Sequence, residues 1–212
     1  MTTVAIIDYG MGNLRSVAKA IEYVAPGHTV DVTADPARVA AADRVVFPGQ
    51  GAMPDCMREL DLRGLRPAVL DAAASKPFLG ICIGLQMLFE HSNEGDVPGL
   101  GVFAGEVTRF RDEDMRGADG ARLKVPHMGW NEVLQRQSHP LWAGIPDGER
   151  FYFVHSYHVQ PAEAALVAAE TAYGIRFTSA VARANIFAVQ FHPEKSAQSG
   201  LRLLANFIHW TP

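Results

Sequence analysis

The sequence predicts an α/β protein: one domain over residues 1–212, with a mixed, mostly parallel central sheet, flanking helices and an added antiparallel region. Three observations carry this. Short strand patterns alternate with amphipathic helices through the first half, and such alternation implies a parallel sheet covered on both faces. The first of those strands is apolar on both sides, as a buried parallel strand is. The second half then changes to closely spaced strands with little helix between them.

Residues 3–8 (Thr-Val-Ala-Ile-Ile-Asp) open the sheet, and Leu14, Val17, Ala18, Ile21 and Val24 follow at helical spacing. Residues 28–33 form a second strand in which Val30 and Val32 alternate. Residues 44–47 form a third, followed at once by Pro48-Gly49-Gln50-Gly51. Residues 52–74 read as helical segments broken near Gly64 and Pro67. Residues 77–81 are the fourth strand, and residues 85–90 begin another helix. Beyond them, residues 102–110, 124–134, 150–154, 166–171, 177–183 and 186–191 read as strands, the last two joined by a turn at Ala184-Asn185. Residues 111–121, rich in Arg, Asp and Gly, read as an exposed loop. A helix over residues 197–209 presents Leu201, Leu204, Ala205 and Ile208 on one face.

Composition narrows the function classes. With 48% hydrophobic and 20% charged residues, the chain has the balance of a soluble globular protein with ample core. A net charge of −4 and the absence of any long basic run argue against a nucleic-acid partner. Every apolar stretch is interrupted well before the roughly 18 residues a membrane span needs. Met1-Thr2-Thr3-Val4 lacks the basic region of a secretion signal, so a cytoplasmic location is expected. The two cysteines, Cys56 and Cys82, are too few for a disulfide scaffold.

Chemistry is concentrated in two places. Gly80-Ile81-Cys82-Ile83-Gly84 sets a thiol between a buried strand and a helix, where flanking glycines allow a sharp bend and close approach of a substrate. A helix N-terminus there favours the thiolate. By itself such a cysteine fits a buried structural thiol equally well; the strand-turn-helix setting favours a nucleophile. Cys56, inside a helical pattern with no glycine frame, reads as packing. The second place is Gln190-Phe191-His192-Pro193-Glu194. Proline keeps the preceding His192 extended, and residues two apart in an extended segment share a side, so Glu194 can hold one imidazole nitrogen while the other faces Cys82. A lone loop histidine is more often solvated; paired with the framed cysteine, His192 reads as a base. His-x-Glu also opens a zinc deaminase signature, but the Pro-Cys-x-x-Cys it requires is missing. His155 and His158, three apart, would face opposite ways in a regular strand. Neither metal nor cofactor is expected.

These motifs together resemble the triad class I glutamine amidotransferases, and within them the glutaminase subunits of imidazole glycerol phosphate synthase. The likeness extends through residues 8–13 (Asp-Tyr-Gly-Met-Gly-Asn), 48–52 (Pro-Gly-Gln-Gly-Ala), 126–131 (Pro-His-Met-Gly-Trp-Asn) and 152–157 (Tyr-Phe-Val-His-Ser-Tyr), almost from the first strand to the last helix. The resemblance implies a flavodoxin-like core and no cofactor. It also implies a heterodimer with a (β/α)8-barrel cyclase subunit, which takes up ammonia released from glutamine and works in histidine biosynthesis. By the same resemblance Cys82, His192 and Glu194 are catalytic, and the backbone N–H groups of Gln50 and Ile83 form an oxyanion hole on a loop that reshapes when the partner is occupied. Gly51, Gln86, Glu94, Ser156 and Tyr157 match substrate-contacting positions, and Asn13, Trp130 and Lys195 match the partner interface. The bland alternatives are a solvent-facing Gln86, a core Trp130 and a solvated Lys195. His158, where relatives often carry an aromatic or another residue, has no assigned role. Other readings left open are a glutaminase for a pyridoxal phosphate or aminodeoxychorismate synthase, a stand-alone thiol hydrolase, and a silent binding module.

Overall fold

The computed structural model describes residues 2–117 and 120–212. Strands β1 (Thr3–Ile7), β2 (Thr29–Thr33), β3 (Arg44–Gly49) and β4 (Phe78–Cys82) alternate with helices α1 (Leu14–Val24), α2 (Pro36–Ala41), α3 (Met53–Leu62) and α4 (Arg66–Ser75). A single turn, α5 (Ile83–Gln86), leads into β5 (Phe89–Ser92), β6 (Val97–Pro98) and β7 (Phe103–Arg109). The strands β8 (His127–Glu132), β9 (Leu134–Gln135), β10 (Arg150–His155), β11 (Tyr157–Pro161), β12 (Val167–Tyr173), β13 (Ile175–Arg183) and β14 (Ile186–Val189) precede the helix α6 (Ala197–His209).

One sheet runs in the order β2-β1-β3-β4-β14-β13-β11-β7-β5-β6, with β12 and β9 attached beside β13; β8 and β10 form a separate antiparallel pair. From β2 to β14 neighbouring strands are parallel, and the direction reverses at β13. The sequence explains this division. Phe-Leu-Gly-Ile-Cys of β4 is buried at every position, which suits a central strand covered by helices. The α1 face of Val17, Ala18 and Ile21 packs into the core, with Phe47, Phe78 and Phe187 fully buried. The α/β class, the parallel first half and the antiparallel addition are all as the sequence predicts. The turn at Ala184-Asn185 is also as predicted: Arg183 pairs with Ile186 across it, and Ala184 has φ 50°.

Several local expectations are corrected. The helix expected over 85–90 is only the turn α5, because Leu85, Met87, Leu88 and Phe89 are all fully buried and leave no solvent face for a surface helix. The chain turns instead into β5, whose Phe89 pairs with Phe103. The strand expected over 124–134 starts at His127 and divides at Val133, which is turned into the core. Helix α2 and strand β11 had no sequence-level assignment; α2 buries only Val39, too little for a periodic stripe, yet Asp35 caps it by accepting from the Ala37 N–H. In the loop over 111–121, Met115 is buried, whereas Arg111, Asp112 and Glu113 are exposed. Residues 118 and 119 of that loop, like the start of the N-terminal reading at residue 1, lie outside the described residues.

Candidate active site

Adjacent parallel strands open their carboxyl ends on the same side of a sheet, which is where α/β proteins build sites. Here β3, β4 and β14 are such neighbours: Gly49 pairs with Cys82, and Val189 with Ile81. Cys82 and Gln190 therefore leave adjacent strands at one level, and His192 follows two residues later. The topology thus joins segments more than a hundred residues apart. A cavity of ≈ 290 Å³ opens there, and Cys82 and His192 both line it.

Cys82 has φ 56° and ψ −111°, a backbone region that residues with a Cβ seldom occupy, so the thiol sits on a strained bend. The bend is tight: a Cβ on Gly84 would stand 1.8 Å from the Phe47 carbonyl oxygen. This explains the glycine frame by close backbone approach. The helix behind the thiol is one turn long, so the macrodipole expected to favour the thiolate contributes little. Cys56 supplies the contrast. It is fully buried, and burial pushes its thiol up to about 11, as an inert packing thiol requires.

His192 is extended (φ −104°, ψ 96°), but Pro193–Lys195 forms a 3₁₀ turn rather than a continued strand. That turn, not extended geometry, folds Glu194 back so that its Oε1 lies 2.9 Å from His192 Nδ1. The pair is almost entirely buried, with side chains 6% and 1% exposed. The His192 backbone is pinned to β10: its N–H donates to the Tyr152 carbonyl at 2.9 Å. Ser196 Oγ donates to the His192 carbonyl at 2.6 Å and accepts from the Tyr152 N–H. Burial alone lowers the imidazole, but the charge and hydrogen bonding of Cys82 together with those of Glu194 outweigh it and raise His192 to about 10. His192 Nε2 is buried without a well-aligned partner among the described residues, so Cys82 acts on it mainly through charge.

The other predicted residues divide into two groups. Gln50, Gly51, Ile83, Gln86, Glu94, Ser156 and Tyr157 all line the same cavity. Gln86 is 1% exposed, which removes the solvent-facing alternative; its Nε2 donates to the Tyr157 carbonyl at 3.2 Å and to Gln190 Oε1 at 3.0 Å. Glu94 Oε2 accepts from the Met53 N–H at 2.8 Å, tying the cavity wall to the start of α3. The loop after β3 is held from behind, where Tyr9 Oη donates to the Pro48 carbonyl (2.9 Å) and Cys56 Sγ to that of Gln50 (3.5 Å). The second group faces outward. Trp130 is 45% exposed, which excludes the core alternative, and meets Tyr152 edge-on. Lys195 also meets Tyr152, its Nζ 5.9 Å from the centre of the ring, and lines the cavity. Asn13, at the start of α1, lies outside the cavity lining.

Two features escaped the sequence reading. Gln190, fully buried, donates to Cys82 Sγ at 3.7 Å. The signal was present, since Gln190 stands two residues before His192 at the end of a strand. The second is a run of histidines. His155 and His158 do not face apart: a bend at Ser156 between β10 and β11 turns both rings onto Phe110. His155 Nδ1 donates to the Tyr157 carbonyl (2.7 Å), so its Nε2 accepts from His127 Nδ1 (3.0 Å), and His127 Nε2 accepts from the Asn131 amide (3.2 Å). Both rings are thereby neutral; burial lowers His127 to about 4 and His155 well below its usual range.

The family model for class-I glutamine amidotransferases matches residues 5–210. The chain is 79% identical to imidazole glycerol phosphate synthase subunit HisH of Aromatoleum aromaticum, over 100% of both chains. It is 72% identical to the same-named subunit of Dechloromonas aromatica, covering 99% of this chain and 97% of the other. A solved glutamine amidotransferase superposes with a TM-score of 0.71 at 16% identity, over 97% of each chain, which speaks to the fold alone.

Proposed function

Because the chain belongs to the class-I glutamine amidotransferase family, we propose that it is the glutaminase subunit of an imidazole glycerol phosphate synthase, with Cys82, His192 and Glu194 as its thiol triad. One observation carries the reading: a thiol on a strained bend and a carboxylate-held imidazole open into one cavity, in a chain matched end to end by HisH relatives.

The geometry supports the following order of events. With Cys82 as thiolate, the proton already resides on His192, and Glu194 keeps the ring turned toward the sulfur. The sulfur attacks the carboxamide carbon of glutamine, and the carbonyl electron pair moves onto oxygen. The N–H groups of Gln50 and Ile83 receive this oxyanion; losing one such donor costs about 10²–10³ in kcat. His192 gives its proton to the departing ammonia, leaving a glutamyl thioester. It then takes a proton from water, which attacks the thioester, breaks the C–S bond and releases glutamate. Gln86, Glu94, Gly51, Ser156 and Tyr157 hold the rest of the substrate.

Ammonia passes to a (β/α)8-barrel cyclase partner. The exposed Trp130 and Met128 of β8, with Lys195 beside them on Tyr152, supply the contact face together with Asn13. No helix among the described residues is long and apolar enough to cross a membrane, and the cytoplasm is the proposed location. Glutamine hydrolysis by the purified chain, with and without the cyclase and its nucleotide ligand, tests the proposal. Partner-stimulated turnover lost in Cys82→Ala is expected; vigorous turnover without any partner favours a stand-alone hydrolase. Failure to complement a histidine auxotroph would point to another synthase.

A further inference from the structure

We propose that Gln190 is a further catalytic residue, a carboxamide donor to the Cys82 sulfur whose orientation is fixed by Gln86. The proposal rests on Cys82 being the nucleophile. Donor and acceptor complementarity fixes the orientation. The Tyr157 carbonyl can only accept, so the group that Gln86 turns toward it, 3.2 Å away, is the amide nitrogen. That same nitrogen lies 3.0 Å from the Gln190 amide, which must therefore present its oxygen. The remaining end of Gln190, its NH₂, faces Cys82 Sγ at 3.7 Å. Reversing either amide would set donor against donor, or acceptor against acceptor, between two buried side chains.

A fixed N–H aimed at sulfur favours its anionic form. His192 must surrender its proton to ammonia during turnover, whereas the Gln190 amide does not ionise and keeps its N–H. The sulfur thus keeps one permanent polar partner as it leaves the thioester. Gln86 Oε1, buried and without a partner among the described residues, remains open to a donor from the substrate, which would brace the same chain of amides when glutamine is bound.

The test uses the full chain carrying Gln190→Met, which keeps the length of the side chain but has no donor, and Gln190→Glu, which keeps the Gln86 contact. The rate of iodoacetamide alkylation at Cys82, located by peptide mass spectrometry, is followed against pH. Glutamine hydrolysis is measured in the cyclase complex. Gln190→Met is expected to alkylate about tenfold more slowly than wild type near neutrality and to converge with it at alkaline pH. Its kcat should fall in parallel while KM stays nearly constant. Gln190→Glu should be slower again. Equal rates at every pH, or a uniform loss at every pH, would assign Gln190 to packing and overturn the proposal. If Gln190→Met does not fold, Gln190→Glu decides alone, a wild-type profile counting against the donor. Undiminished glutamine hydrolysis by Cys82→Ser would instead remove the nucleophile assignment, whatever Gln190 does.

Discussion

Gly84→Ala should disable the site without touching any side chain in it. The added Cβ would stand 1.8 Å from the Phe47 oxygen and 2.9 Å from its carbonyl carbon, whereas real Cβ contacts essentially never fall below 3.0 Å. Both neighbours are backbone, so no rotamer change relieves the clash, and β3 and α5 must part by more than an ångström. Those are the segments that carry the Gln50 and Ile83 N–H groups. Overpacking of this kind costs about 1–3 kcal/mol or more. For a chain of this size each kcal/mol lowers Tm by about 2–4 °C, so a drop of up to about 10 °C is expected. A misplacement near 1 Å in a catalytic arrangement costs about 10²-fold in rate. Circular dichroism melting and glutamine hydrolysis in the cyclase complex measure the two effects, with Gly64→Ala as the reference. Gly64, unlike Gly84, has a positive φ (64°), but it meets nothing within 4 Å, so it should lose only about 1 kcal/mol and no activity. A Gly84→Ala protein that melts and turns over like wild type would refute the close-approach reasoning.

Three further outcomes are expected. His192, raised from 6.5 to about 10, contributes stability that is complete below pH 6.5 and is lost as pH rises through 10; urea midpoints across that range should fall, and His192→Asn should flatten the fall. His127 behaves oppositely: lowered from 6.5 to about 4, it contributes stability that is complete above 6.5 and is lost as pH drops toward 4. His127→Gln should remove about 3 kcal/mol of that acid dependence, read from the same midpoints. Asp35→Ala, which deletes the side-chain acceptor for the Ala37 N–H, should cost about 1 kcal/mol in urea unfolding and leave glutamine hydrolysis unchanged.

The sequence discloses what depends on local pattern and conceals what depends on company. Helix α6 ends where its apolar stripe ends, and the glycine frame of Cys82 marks a bend from local sequence alone. The run after Gln86 reads as helix because its apolar residues suit either state, and only pairing with β7 decides for strand. The union of Cys82 with His192 is legible as two motifs, but their meeting follows from β4 and β14 being neighbours, a long-range pairing with no local trace. The Glu194 contact is anticipated correctly for an incorrect reason, since a turn after Pro193 supplies the geometry. Gln190 and His127 pass unnoticed because an amide or an imidazole acquires a role only from what it faces once buried.

Two imidazoles, His155 and His192, border the cavity that Cys82 lines, and the direction of the hydrogen bonds decides between them. In the run from Asn131 through His127 to His155 every nitrogen is already either giving or receiving, and the run ends on a carbonyl. An incoming proton finds no lone pair to occupy there. His155 is thereby a bystander to acid–base traffic a short way from a ring that is built for it. On the proposed mechanism a cavity with two histidines runs with a single acid, and ammonia collects its proton from His192.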